Sequence, residues 1–180
     1  MDNNYEMLIK ILKEKKKICI AFSGGVDSTF LLKAAKEALD KNILAITIVS
    51  SMNPKREIKE SVEFCKEIGV KHILIDADEY SIPEFVANDK ERCYFCKKEI
   101  FTKIKEKAKN EGFDIVADGS NIDDDSDYRP GMKALKELGI VSPLKEANLS
   151  KNEIRKICKE INLSVWNKPS MACLASRIPY

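Results

Sequence analysis

The residue types best suited to chemistry stand in one short loop, Ser23-Gly24-Gly25-Val26-Asp27-Ser28. Its paired glycines let the backbone turn with N–H groups converging, and a helix that starts at the loop adds partial positive charge there. Ser23 and Ser28 offer hydroxyl donors, while Asp27 would either hold Mg²⁺ beside phosphate oxygens or cap the helix. The loop therefore predicts a phosphate-binding site.

Three of the six cysteines have a pattern typical of metal or sulfur chemistry. Cys93 and Cys96 form a Cys-x-x-Cys pair at the start of a predicted helix, and Cys173 stands near the end of the chain. In a chain without a disulfide framework, such cysteines point to free thiols or metal ligands. The remaining cysteines are predicted to be packing residues: Cys19, Cys65 and Cys158.

Alternating strands and helices must position these groups. The apolar run 18–22 leads into the loop, and apolar residues at helical spacing follow it to about Asp40. Further strand patterns at 43–49, 72–76 and 113–117 alternate with helical ones. Such alternation predicts an α/β fold, a doubly wound parallel sheet with helices on both faces. Ligands bind at the carboxyl ends of the strands in such a sheet, which is where the loop lies.

Two helix starts carry capping signals. Asn53-Pro54 is typical of a cap followed by a first-turn proline, and Ser150-Lys151-Asn152-Glu153 predicts a capping box. The segment 123–131 is too charged for a core and predicts either a solvated acidic loop or a source of a Mg²⁺ carboxylate. Its Arg129 would pair with a phosphate or carboxylate.

Composition and charge bound the class of protein. The chain has 180 residues, 44% hydrophobic and 33% charged, which is enough for one well-buried domain. The net charge is only +2, so no bulk field favours nucleic acid, and we expect no nucleic-acid partner. No apolar run approaches the roughly 20 residues that cross a bilayer. With no signal-peptide layout at the start and no disulfide framework, we expect a cytoplasmic protein without a membrane partner.

The loop has neither Walker nor dinucleotide-fold spacing. It resembles instead the PP-loop, Ser-Gly-Gly-x-Asp-Ser, of enzymes that cleave ATP between its α- and β-phosphates. Nearly the whole chain further resembles the ATP-dependent sulfur transferases of the LarE type, so the fold is expected to be that of the adenine nucleotide alpha hydrolases. Four segments carry this resemblance: residues 23–28, 92–97, 118–121 with 127–131, and 166–169 with 173–180.

The resemblance implies an enzyme that adenylates a carboxylate of a pyridinium mononucleotide, releases pyrophosphate and replaces oxygen by sulfur in nickel-pincer cofactor synthesis. It implies that ATP and Mg²⁺ bind at residues 23–28, with Asp27 catalytic and with Gly119 and Asn121 contacting ATP. It also implies that Arg129 and Arg177 bind a phosphate or carboxylate of the substrate, a small nucleotide.

Cys173 matches the sulfur centre of that family, in which two branches differ. In one branch the cysteine gives up its own sulfur and leaves dehydroalanine. In the other, three cysteines hold a [4Fe-4S] cluster that carries a labile sulfide on the iron they leave open, and the presence of Cys93 and Cys96 favours this branch. A zinc site, which would usually want a fourth protein ligand, and a redox pair, which would need no third cysteine, are the competing interpretations. The alternatives are sacrificial donation from Cys173, a tRNA thiolation enzyme, and a non-catalytic nucleotide-binding or iron–sulfur module.

The resemblance also implies how the chain is divided. Residues 1–165 are predicted to form the PP-loop ATP-binding domain. Residues 166–180 are predicted to form a cysteine-bearing loop leading to a C-terminal region that this chain lacks. The full-length protein is expected to be a homo-oligomer.

Overall fold

Four parallel strands form the sheet that the sequence predicts. The computed structural model describes residues 3–126, 130–170 and 173–177. The strands are β1 (Ile18–Ala21), β2 (Ile43–Val49), β3 (Lys71–Asp76) and β4 (Val116–Ala117), in the order β3-β2-β1-β4. Strand β1 therefore lies inside the sheet, with Ile18 paired to Ile43 on one side and Cys19 to Val116 on the other.

Helices cover both faces of the sheet, as the doubly wound prediction requires. They are α1 (Asn3–Lys15), α2 (Val26–Leu39), α3 (Lys55–Ile68), α4 (Pro83–Val86), α5 (Arg92–Asn110), α6 (Pro130–Glu137), α7 (Pro143–Glu146) and α8 (Lys151–Glu160). Side chains alternate across a strand, so Ile18 and Ile20 pack with α1, α2 and α8, whereas Cys19 packs with α5 and α6. The fold class is confirmed.

The structure confirms one of the two predicted helix caps and corrects the other. Ser150 and Glu153 form the capping box at the start of α8, as predicted. The predicted start of α3 is wrong, because Pro54 is itself the cap residue, with ψ at 130°, and the helix begins at Lys55. The Asn53 side chain accepts a hydrogen bond from Ser50 Oγ at 2.8 Å instead of capping the helix.

Strand β4 is shorter than the predicted 113–117. Phe113 donates its N–H to the Ala108 carbonyl at 2.8 Å, so the residues before the strand complete the end of α5. Gly112 allows this turn with φ at 81°. Pairing with β1 begins where Cys19 donates to the Ile115 carbonyl at 2.9 Å.

The cysteines predicted to pack in the core are buried: Cys19, Cys65 and Cys158. Burial raises the pKa of each of these thiols to about 12, so they are protonated and unreactive at neutral pH. Among the helices of the described ranges, none is both long and apolar enough to cross a membrane.

Candidate active site

A cleft of about 310 Å³ joins four parts of the chain. Its lining comprises the phosphate loop (residues 23–28), the turn into α3, the start of α8 and the segment that reaches Cys173. Residues that line the cleft include Gly25, Asp27, Glu57, Lys151, Ser170 and Cys173. The structure therefore places the phosphate loop and Cys173 at one opening. A second hollow, on the surface of α1, contains neither.

The phosphate loop leaves the start of α2 without a side-chain cap. Gly24 has φ at 76°, and Gly25 is the cap residue, with no side chain to accept from the first-turn N–H groups. Ser28 Oγ lies 3.3 Å from the Gly25 carbonyl, to which it donates, and 3.0 Å from Ser23 Oγ. Because an uncapped helix start carries N–H donors and partial positive charge, it fits an anionic group such as phosphate.

The turn after β4 packs directly against the phosphate loop. A Cβ added to Gly119 would lie 2.9 Å from the Ser28 backbone nitrogen, so only glycine fits there. Asn121, which is 2% exposed, donates a side-chain hydrogen bond to Asp27 and accepts one from the Asp123 N–H at 2.9 Å. Both predicted residues thus touch the loop itself, and their contact with ATP remains a prediction.

Asp27 has the surroundings of a cation ligand. Burial raises the pKa of its carboxyl group, and the neighbouring Asp124 raises it further. Lys151, Arg155 and the Asn121 hydrogen bond act in the opposite direction. Within the described residues its Oδ1 is buried and accepts no hydrogen bond. A buried carboxylate oxygen without a donor fits Mg²⁺, which prefers oxygen ligands.

The cysteine-bearing segment is held against the start of α5. Arg92, which is 3% exposed, donates from its guanidinium to the Ala175 carbonyl at 2.8 Å. Cys93 and Cys96 lie in the first two turns of the same helix. Burial raises the pKa of the Cys96 thiol to about 12, and Glu79, Cys173 and Cys93 raise it in that order of effect. The three thiols predicted from the sequence therefore lie close enough to influence one another.

The chemistry of these thiols fits an iron–sulfur cluster. Thiolates are the usual cluster ligands, and Cys93 and Cys173 are exposed enough to receive one. In the part of the chain that the structure describes, no three His, Cys, Asp or Glu side chains are grouped to hold one metal ion.

Other residues of the site were not predicted from the sequence. Lys151 lines the cleft and acts on Asp27, but in the sequence it is only one position of a capping box. Glu79 is 2% exposed although it follows two acidic residues that suggest a surface turn. Arg129 and the side chain of Arg177, both predicted to bind substrate, lie outside the described residues.

Comparison with known proteins first gives the class. Residues 1–92, half of the chain, match the family described as the PP-loop domain, and the chain belongs to that family. The structure of the U34-tRNA thiolase NcsA from Methanococcus maripaludis with its [4Fe-4S] cluster has a TM-score of 0.66, covering 96% of this chain and 70% of that chain. At 22% sequence identity this likeness shows the fold alone.

Two relatives share a larger fraction of their sequence with this chain. The chain is 33% identical over 174 residues to pyridinium-3,5-bisthiocarboxylic acid mononucleotide synthase from Lactiplantibacillus plantarum, covering 96% of this chain and 63% of that protein. It is 41% identical over 180 residues to the protein slr1717 of Synechocystis sp., covering 67% of it. The chain thus spans about two thirds of these relatives' length. The predicted resemblance and the enzyme class, an ATP-dependent adenylating sulfur transferase, are confirmed.

Proposed function

We propose that this chain adenylates a carboxylate of a pyridinium mononucleotide and exchanges oxygen for sulfur, a step of nickel-pincer cofactor synthesis. The observation that carries the proposal is the single cleft lined by both Asp27 and Cys173. One opening can then hold the nucleotide phosphates and present a thiol to the activated carbonyl. The name of the synthase that is 33% identical supports this substrate class.

The adenylation step follows from the phosphate loop. A carboxylate oxygen of the substrate attacks the α-phosphorus of ATP, and pyrophosphate leaves with the electron pair of the broken P–O bond. The N–H groups at the uncapped start of α2 would bind the phosphates, and Lys151 would offset their negative charge. Asp27 would hold Mg²⁺, which would supply positive charge to the phosphates when it is bound. The product is an acyl adenylate, which a sulfur nucleophile can attack with loss of AMP.

The sulfur would come from the three-thiol site. Cys93, Cys96 and Cys173 would hold a [4Fe-4S] cluster, which would supply sulfide sulfur when it is bound. The same cluster type is named for the tRNA thiolase that shares the fold. Arg92 would keep the Cys173 segment against α5 so that all three thiols remain near the cleft.

A second sulfur route is favoured by one observation, which is that Cys173 lines the cleft itself. Its thiolate would attack the acyl adenylate, expel AMP and form a thioester. Loss of the Cα proton with cleavage of the Cβ–Sγ bond would then release the thiocarboxylate and leave dehydroalanine. Mass spectrometry after one turnover separates the routes, because only this one removes the mass of H₂S from the protein.

The proposed function is tested with three proteins: the parent, Cys173→Ala and Asp27→Asn. The parent should release pyrophosphate from MgATP when the pyridinium carboxylate mononucleotide is added, and should form thiocarboxylate after anaerobic loading with iron and sulfide. Cys173→Ala should keep pyrophosphate release and lose the thiocarboxylate, whereas Asp27→Asn should lose both. Thiocarboxylate formed by Cys173→Ala at the parental rate would contradict the proposal.

The cluster has its own measurement. Iron bound per chain after anaerobic reconstitution should fall in Cys173→Ala and stay at the parental level in Cys65→Ala, the matched control in the core. Equal iron in both variants would refute the three-cysteine site. If the parent instead retains tRNA in a salt-dependent manner and thiolates it, the substrate assignment is wrong. The cytoplasmic location, the homo-oligomer and the division at residue 165 stay predictions.

A further inference from the structure

Lys168 reaches the phosphate loop from the far end of the chain. Its Nζ donates to the Gly24 carbonyl at 3.0 Å and to Glu60 Oε2 at 2.8 Å, and Glu57 Oε1 lies 3.7 Å away. Its side chain is only 18% exposed. We propose that Lys168 is a positioning residue that orients the peptide between Gly24 and Gly25 for phosphate binding. The proposal rests on the nucleotide site of the proposed function.

The geometry of the peptide bond supplies the reason. The described chain has no cis peptide bond, and in a trans peptide the C=O and the following N–H point in opposite directions. Fixing the Gly24 carbonyl therefore fixes the direction of the Gly25 N–H. A pair of glycines resists rotation of this peptide little, because neither has a Cβ. The Gly25 N–H bond to Ser23 Oγ is long, at 3.4 Å, so it contributes less than the charge-assisted bond from Lys168.

Other residues fix both the backbone and the ammonium group of Lys168. Arg155 donates to the Trp166 carbonyl at 2.6 Å and to the Lys168 carbonyl at 2.7 Å, which fixes the backbone on α8. Glu57 and Glu60 of α3 hold the ammonium group. A lysine fixed at backbone and tip loses little further freedom when it makes its bond, so it can stabilise one loop conformation.

The same segment continues into the cleft. Pro169, Ser170 and Cys173 line it together with Gly25, directly after Lys168 in the chain. The orientation of the phosphate loop therefore depends on the segment that also places the reactive thiol. Since coupling between two binding sites is reciprocal, phosphate binding at the loop should in turn stabilise the positions of residues 168–170 and of Cys173.

The experiment compares dissociation constants of MgATP and of adenosine, measured by equilibrium dialysis on the full chain. Lys168→Met should weaken MgATP about tenfold or more, because a charge-assisted hydrogen bond at the loop is lost. Adenosine has no phosphate, so its binding should be unchanged, which a general loss of structure would not allow. Lys168→Arg should restore most of the MgATP affinity, because its guanidinium can donate to the same carbonyl.

Glu60→Gln is the matched control, because it breaks the ion pair and leaves the loop contact in place. It should bind MgATP within about threefold of the parent. If Lys168→Met does not fold, the double variant Lys168→Met, Glu60→Gln removes the carboxylate that bonds the Lys168 ammonium group and should still bind MgATP weakly. Parental affinity in folded Lys168→Met or in the folded double variant, or equal losses in Glu60→Gln, overturns the role of Lys168. A parent that binds no MgATP overturns the proposed function as well.

Discussion

The contact between the two turns beside the cleft gives a sharp contrast between two glycines. In Gly119→Ala the new methyl group would lie 2.9 Å from the Ser28 nitrogen and 3.2 Å from its Cα, and both of these atoms are backbone. Neither can rotate away, so α2 or the turn after β4 must shift. Overpacking of this kind costs about 1–3 kcal/mol. For a chain of this size it should lower the Tm by roughly 2–12 °C.

Gly25→Ala should behave differently. The new methyl group would meet only Ser23 Oγ, at 3.5 Å, and φ at −75° suits alanine. A small loss at the helix cap and a small gain from a less flexible unfolded chain leave stability within about 1 kcal/mol of the parent. The methyl group nevertheless stands in the cleft, where the phosphate would approach Gly25.

Calorimetry on the nucleotide-free proteins and titration with MgATP give both quantities. We expect Gly119→Ala to lose stability and MgATP affinity together, and Gly25→Ala to lose affinity about tenfold or more with its Tm retained, since phosphate N–H contacts are charge-assisted. If Gly25→Ala lowers the Tm as far as Gly119→Ala does, the steric reasoning is wrong. Unchanged values in Gly119→Ala would mean that the two turns do not touch.

Three further predictions concern titratable groups. MgATP should slow alkylation of Cys173, which lines the cleft, and leave exposed Cys93 unaffected; equal protection of both thiols would contradict the shared cleft. Burial raises the pKa of Asp27 above its unfolded value, so its contribution to stability is present in acid and is lost as pH rises through the folded pKa. Asp27→Asn should therefore raise the nucleotide-free Tm at neutral pH, with the gain vanishing below about pH 4. Glu79→Gln should lower the pKa of Cys96 from about 12 and speed its alkylation in mild alkali. An unchanged rate would mean that the Glu79 carboxylate lies too far from Cys96 to affect the thiol.

Local signals made the sheet and the phosphate loop predictable. Residues 43–49 form a nearly continuous apolar run that only Thr47 interrupts, and the structure has a strand with the same bounds. The capping box at Ser150 was also predictable, because all its partners lie within four positions. The prediction of an Asn53 cap was wrong because both Asn53 and Pro54 favour a helix start. Only the observed backbone shows that Pro54 is the cap residue.

The supports of the site were not predictable, because they connect positions far apart in the chain. The Lys168 bond to Gly24 spans 144 residues, and the Arg92 bond to Ala175 spans 83. Each of these side chains is typical of a solvated surface when only its neighbours are considered. Glu79 is buried only because the chain folds around it near Cys96. Periodicity reports which face is apolar, but it carries no information on which distant backbone a charged side chain meets.

Lys168 and Gly119 contact the phosphate loop from positions far along the chain, which affects when the protein acquires its activity during synthesis. Contacts between distant positions form late, because a long stretch of chain must first be brought together. The match to the PP-loop family lies within the first 92 residues, yet a ribosome that has made only those has produced neither the turn that supports Ser28 nor the lysine that holds Gly24. A nascent chain should therefore gain its full nucleotide affinity only after residue 168 has emerged.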